Sequence, residues 1–443
     1  REVARDPENA NRYLSNTSLL RLTLALLGIP LLYGFIVLRQ RTFTPPLTPE
    51  TVWTIALLYV GLFLSTQSTG LTALFYAYEK AEYPAAVQTV SAILTATLGV
   101  VALLAGAGIV GLAGVSIITN GVTLLILYTL ARRLFFSPRL TFDWRIQRVA
   151  LGESFPLMIN HLLATLFFKI DIVLLEGLGG HMGSAVVGWY STAYKWVDAL
   201  NIIPAFFTQA VFPVMSRQAA EDRSSLLRSY ILAVKLLVMT ALPLAVLITL
   251  LAYPLIHLLG GHEFLPHGAI ALQLMIWSIP IGWINSITNY VLIALNRQHV
   301  LTWVFMIGVL FNVGMNLYFL PRYSYPAAAL ITIASELVLL VAFYAVLVRT
   351  LRGDVPDKRQ AVVPWFSILW RPVAATMLMA VATWGLARVN MFLALVGGLL
   401  VYGALLFALH PLTTEEQALI NPLLPTRFRR LSASPTSASP DTV

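Results

Sequence analysis

The sequence predicts an all-α polytopic membrane protein, and three observations carry that reading. Of its 443 residues, 58% are hydrophobic and only 11% charged, with a mean hydropathy of +0.78; soluble chains are about a quarter charged. Apolar runs of about twenty residues, enough to cross a bilayer, recur from end to end. The runs are continuously apolar rather than alternating, which favours helices over a barrel.

Twelve spans are expected, at residues 19–38, 52–76, 85–104, 110–130, 155–175, 186–211, 230–250, 269–295, 301–320, 327–347, 372–389 and 391–409. Charge in the connections tests the count. With the start placed in the cytoplasm, 21 of the 29 basic residues fall in cytoplasmic segments and four in outer loops. The other four, Arg21, Lys169, Lys195 and Lys235, lie inside spans. Such a split predicts both termini on the cytoplasmic side. It also accounts for the net charge of +9 without nucleic acid. The absence of cysteine excludes thiol chemistry, disulfides and cysteine-ligated metals.

Two longer connections divide the chain into 1–149 with four helices, 150–350 with six, and 351–443 with two. The first connection, 132–152, mixes Phe142, Trp144, Ile146, Val149 and Leu151 with Arg145, Gln147 and Arg148, as suits a short interfacial helix. The second, 350–370, starts charged and becomes aromatic. A four-helix block beside a six-helix block suggests a pair of helices preceding Arg1. The chain also opens without Met and without a signal-like segment. The Ser/Pro/Ala-rich end from Ser432 is expected to be a disordered tail. Prolines 30, 204, 213, 243, 254 and 280 fall within or at the ends of spans, where each can kink a helix.

The functional signal lies between Phe155 and Gln218. The fifth span carries Asn160, His161, Lys169 and Asp171; the sixth carries Tyr190, Tyr194, Lys195 and Asp198. Ionised groups inside a membrane are expensive and mark pairing sites or substrate paths. Both lysines fall roughly 12–14 Å below the outer end by helical rise. Lys195 and Asp198 share a face, whereas Lys169 and Asp171 do not. The expected arrangement pairs Asp171 with Lys195 and leaves Lys169 facing a water-filled cavity; two mutually neutralised structural pairs are the alternative. Glu336, near the middle of the tenth span, lacks an obvious partner; protonation, a bond to Ser335 or Thr332, and a coupling role stay open. The pairs Asn285/Asn289 and Asn312/Asn316 read as helix glue. Arg21 and Lys235 are expected to snorkel. His161 serves either the cavity or packing, and Tyr190 and Tyr194 either stack on a sugar or belong to an ordinary helix.

Signatures of catalysis are missing: the sequence has no Walker loop, no HExxH and no GxSxG. His262, Glu263 and His267 make a poor metal set, so neither metal nor cofactor is expected. A membrane-embedded glycosyltransferase would need a large outer loop, and the outer loops are short.

The segments Phe167-Phe168-Lys169-Ile170-Asp171, Val187-Gly188-Trp189-Tyr190, Phe212-Pro213-Val214-Met215-Ser216-Arg217 and Asn312-Val313-Gly314-Met315-Asn316 are similar to those of polysaccharide-biosynthesis flippases. These are the O-antigen and repeat-unit translocases of the multidrug/oligosaccharidyl-lipid/polysaccharide exporter superfamily. The resemblance implies a two-lobed flippase fold around a central cavity, here lacking its first two helices, with two extra helices at the C-terminal end. It implies that Lys169 and Lys195 meet the pyrophosphate of a polyprenyl-linked oligosaccharide, moved by alternating access across a bacterial inner membrane. Asp171 and Asp198 would hold the lysines. Membrane lipids, a polysaccharide polymerase and glycosyltransferases are the partners it suggests. A cation-coupled multidrug exporter and a lipid II flippase are the competing readings. The sequence departs from the family at Ser324-Tyr325-Pro326, which replaces a glycine-rich turn.

Overall fold

A computed structural model describes residues 3, 7–42, 46–178, 183–352, 363–387 and 390–409. Among these every regular element is helical. The chain divides into two compact units, residues 1–158 and 159–443.

The first unit holds α1 (Ala10–Thr42), α2 (Pro49–Ala77), α3 (Glu82–Leu104), α4 (Gly108–Leu134) and the start of α5 (Trp144–Leu178). Thr48 caps α2 by accepting from the Thr51 N–H, with proline at the first turn. α2 packs on both α1 and α4, and α4 on α3. A Cβ at Gly61 would stand 3.0 Å from the Ser116 Oγ, the close approach that small residues permit between membrane helices. The Tyr59 hydroxyl donates to the Ala25 carbonyl at 2.6 Å, tying α2 to α1. The Arg21 guanidinium packs over Gly70, and its Nη1 is buried without a hydrogen-bond partner.

The connection into α5 is held by α1 side chains acting in place of a β-strand. Asn11 both donates to and accepts from the Arg139 backbone, at 3.2 and 2.8 Å. Ser15 does the same at Thr141, at 2.8 and 2.6 Å. Asn16 accepts from the Asp143 N–H at 2.7 Å, and Arg12 pairs with the Asp143 carboxylate. The alternation 139, 141, 143 is that of extended chain. Asp143 then caps α5 through the Arg145 N–H at 2.8 Å. The Arg12 hydrogen bond holds the Asp143 carboxyl below its ordinary pKa. The expected short interfacial helix is not a separate element, because with this cap the helix runs unbroken from Trp144 to Leu178.

The second unit continues with α6 (Gly183–Leu200), α7 (Ile202–Glu221), α8 (Arg223–Gly260), α9 (His267–Met275), α10 (Ser278–Ala294), α11 (Gln298–Arg352), α12 (Trp365–Ala387) and α13 (Met391–Leu409). α8 is its mast, buried along most of its length and packed on α7, α9, α10 and α12. Asp222 caps α8 by accepting from the Ser224 N–H. Hydrogen bonds from Ser225 and Ser224 pull its carboxyl from 3.8 to about 2. A depressed carboxylate contributes stability above its unfolded pKa, so this cap is lost only as pH falls from about 4 toward 2. The sixth expected span is broken at Asn201 and the eighth bends by 41° between α9 and α10. Pro204 and Pro280 sit in the first turn after each break. The two breaks are linked by Trp283 Nε1 donating to Asn201 Oδ1 at 3.1 Å. α11 is two helices joined at Ser324, which has φ 52° and ψ −141°; its two limbs match the ninth and tenth expected spans. α12 and α13 pair with each other, and the Tyr402 hydroxyl reaches the Met239 carbonyl of α8 at 2.6 Å.

Among the described residues nine helices are long and apolar enough to cross a membrane, or ten with the bent α9–α10 pair; α11 is long enough for two spans, and Leu393–Leu409 is a shorter apolar helix. Over the described residues, each of the twelve expected spans is therefore carried by helix. The expected disordered tail and most of the charged connection after α11 lie outside the described residues.

Candidate functional site in the second helical unit

Helix geometry decides which charges meet. Successive residues are turned by about 100°, so Asp171 and Lys169 diverge on α5, while Tyr190, Tyr194 and Asp198 fall on one side of α6. Tyr190 and Asp171 are buried, 0% and 2% exposed. The Tyr190 hydroxyl donates to the Asp171 carboxylate. The Ile172 N–H donates to it at 2.9 Å, and the Thr332 hydroxyl of α11 reaches it at 3.4 Å. Lys169 sits half-exposed beside this knot. Its ammonium lies 2.9 and 3.2 Å from the two Asp198 oxygens, and 3.9 Å from the centroid of the Tyr194 ring. The Tyr194 hydroxyl, in turn, donates to the Phe168 carbonyl at 2.7 Å.

The expected Asp171–Lys195 pair is not formed. Lys195 follows Tyr194 by one residue, so it points away from the buried face and is exposed; among the described residues it makes no ion pair. Asp198 takes Lys169 instead, because it lies four residues beyond Tyr194, on the same side. Tyr190 and Tyr194 are not open stacking platforms, since both are buried and their hydroxyls are committed. His161 is exposed on α5, one residue from Asn160, which accepts from the Thr302 hydroxyl at 2.9 Å. Lys235, expected to snorkel, is buried in α8.

Glu336 is buried and has a partner that the sequence did not disclose. Asn285 Nδ2 of α10 donates to its carboxylate at 2.7 Å and to its carbonyl at 2.8 Å. Ser335 is occupied by Asn312 at 3.1 Å, and Thr332 by the Ala328 carbonyl at 3.0 Å, with Asp171 at 3.4 Å. The Asn312–Ser335 and Asn285–Glu336 bonds join separate helices or limbs, as glue would. Thr332, which shares a face with Glu336 four residues later, was expected to serve that residue, and its contact with Asp171 escaped sequence reading. Among the described residues no group of three metal-ligating side chains occurs. His267 is instead stacked on Trp189 at 4.1 Å and bonded to the Tyr325 hydroxyl at 3.0 Å.

The fold and the buried charges define a multi-pass helical membrane protein with an ionised site inside one of its units. The profile of the polysaccharide biosynthesis protein family matches residues 16–268, and the chain belongs to that family. No curated protein matches the sequence. Among solved structures the fold is similar to that of the lipid II flippase MurJ in an inward closed conformation: 16% identity, 90% of this chain and 83% of MurJ covered, TM-score 0.67. It is also similar to an inward-facing multidrug resistance MATE family transporter of the MOP superfamily (17% identity, 80% and 84% covered, TM-score 0.69). A MOP superfamily transporter from Pyrococcus furiosus aligns at 17% identity over 80% and 81% of the two chains, with TM-score 0.56.

Proposed function

We propose that the protein is a flippase that translocates a polyprenyl-pyrophosphate-linked oligosaccharide, an O-antigen or exopolysaccharide repeat unit, across a bacterial inner membrane by alternating access. The observation that carries the reading is Lys169: an ammonium deep within a span, 44% exposed, held by an equally open Asp198 and the face of Tyr194. A central charge in a spanning helix costs about 2.5–3.5 kcal/mol on insertion scales. The Asp198 contact offsets part of that cost, and a pyrophosphate oxygen can replace the aspartate without leaving the cation unpaired. Lys195, exposed one residue past Tyr194, adds a second positive charge. Asp171, fixed by Tyr190, anchors α5 against α6 and α11 while that exchange takes place. The polymerase and glycosyltransferases of the same pathway are the partners proposed, and no catalytic role is assigned.

A lipid II flippase is the second reading, because the MurJ fold aligns over most of both chains. A multidrug exporter fits less well, since a cationic drug would meet two open lysines.

The test is the rate of lipid-linked oligosaccharide flipping in proteoliposomes, at matched protein density. A charge-assisted hydrogen bond is worth about 1.5–3 kcal/mol, so Lys169→Ala should slow flipping roughly ten- to hundredfold. Wild-type rates in both Lys169→Ala and Lys195→Ala would overturn the proposal, and a preference for lipid II over the oligosaccharide lipid would select the second reading.

A further inference from the structure

The second unit buries two carboxyl groups, and their surroundings differ in kind. Asp171 receives two close donors, from Tyr190 and Ile172, with the Thr332 hydroxyl 3.4 Å away. Glu336 receives one, Asn285 Nδ2, and that nitrogen is shared with the Glu336 carbonyl. An ionised carboxylate has about four acceptor positions, so most of those on Glu336 would go unanswered. Nor does a cation answer the charge. Glu336 makes no ion pair among the described residues, and Lys169 is engaged by Asp198. Tyr194 of α6 interacts with it electrostatically; Asp171 of α5 lies against Thr332, one turn earlier on α11, and Tyr230 of α8 is bonded to Thr288, three residues past Asn285 on α10. All three titratable groups are acids.

A second observation points the same way. Asn285 Oδ1 is buried and has no hydrogen-bond partner, on the amide whose nitrogen grips Glu336. An orphaned buried acceptor costs about 1–3 kcal/mol. A proton on the Glu336 carboxyl supplies the missing donor and closes an acid–amide pair: N–H to one carboxyl oxygen, O–H to the amide oxygen. The place is shaped for it. Gly282, one turn earlier on α10, leaves room for the carboxyl; a Cβ there would stand 3.2 Å from Oε1.

We infer that Glu336 and Asn285 form a proton-binding site in which the carboxyl is carried protonated. Release then requires α10 and the second limb of α11 to part, because only water or a new donor can receive the carboxylate. What the proton drives rests on the transporter reading; its presence does not.

Infrared difference spectroscopy on purified protein in liposomes, without lipid-linked sugar, tests the site apart from flipping. The expected result is a protonated-carboxyl carbonyl band at neutral pH that shifts in D2O and is lost in Glu336→Gln. The glutamine reproduces the donor and acceptor of the neutral acid, so this variant should fold normally. If it does not, Asn285→Ala should move the band instead by removing its partner. Absence of the band in the wild type, its persistence in Glu336→Gln, or its abolition by sodium at constant pH would each overturn the inference. A protein that flips without the band, or shows the band and does not flip, separates this inference from the proposed function.

Discussion

Tyr190 is the residue on which the candidate site turns. Its ring is fully buried and its hydroxyl is the strongest donor to Asp171. Tyr190→Phe keeps the ring and removes only that donor. Asp171 is then left with the Ile172 N–H and a Thr332 contact at 3.4 Å, which is long for a hydroxyl hydrogen bond. Hydrogen bonds to charged groups are worth about 1.5–3 kcal/mol. Tyr190→Phe should therefore lower the thermal midpoint in detergent, read by size-exclusion chromatography after heating, while Thr332→Val should lower it less. Equal midpoints for Tyr190→Phe and wild type would refute the anchoring role. Residue types at this site were legible in the sequence, because charges inside apolar runs stand out. Their pairing was not: it depends on the azimuth of each helix, which spacing fixes within one helix but not between two. Asp198 could thus be placed beside Tyr194, yet its partner on α5 could not be chosen between Lys169 and Lys195.

Helix ends and breaks carry the next level of organisation. Hydropathy located every span, because runs of about twenty apolar residues are long compared with boundary errors. It could not show that the sixth span breaks at Asn201, since the residues on either side are equally apolar. Nor could it show that α5 starts at Trp144, which depends on contacts from α1 some 130 positions earlier in the chain. The kink in α11 was half-legible. Pro321 and Pro326 announce a break, but the special conformation falls on Ser324, where relatives were expected to carry glycine. A non-glycine residue in so sparsely populated a region costs of order 1–3 kcal/mol, and the Ser324 hydroxyl is buried without a partner. Glycine adopts this φ freely and removes the orphaned hydroxyl, at the expense of more freedom in the unfolded chain. The strain outweighs that loss, so Ser324→Gly should raise the thermal midpoint. A lowered midpoint would mean that the bend is stabilised by the serine itself.

Over the whole molecule, the distribution of apolar surface is the reverse of a water-soluble protein's. Leu31 is 76% exposed, Val341 68% and Phe407 82%, on three different helices, while polar Asn316, Ser335 and Thr288 are fully buried. Large exposed apolar surfaces mark contact with another apolar phase, and here the phase is lipid. The same logic explains why composition disclosed the class of fold so readily: with hydrocarbon as solvent, both faces of many helices are apolar. It also explains why composition said little about packing, since a lipid-facing leucine and a core leucine look alike in sequence. A charge tells them apart. Val341 lies in the second limb of α11, five residues past Glu336, and faces outward. Val341→Lys there should cost roughly 2.5–3.5 kcal/mol of insertion free energy, so the membrane-integrated fraction of this segment should fall in a glycosylation-mapping insertion assay. The same substitution at exposed Glu82, at the start of α3, should leave integration unchanged because that end can reach water. Full integration of Val341→Lys would mean that this face meets water rather than lipid, and the second limb of α11 would then have to line an aqueous path.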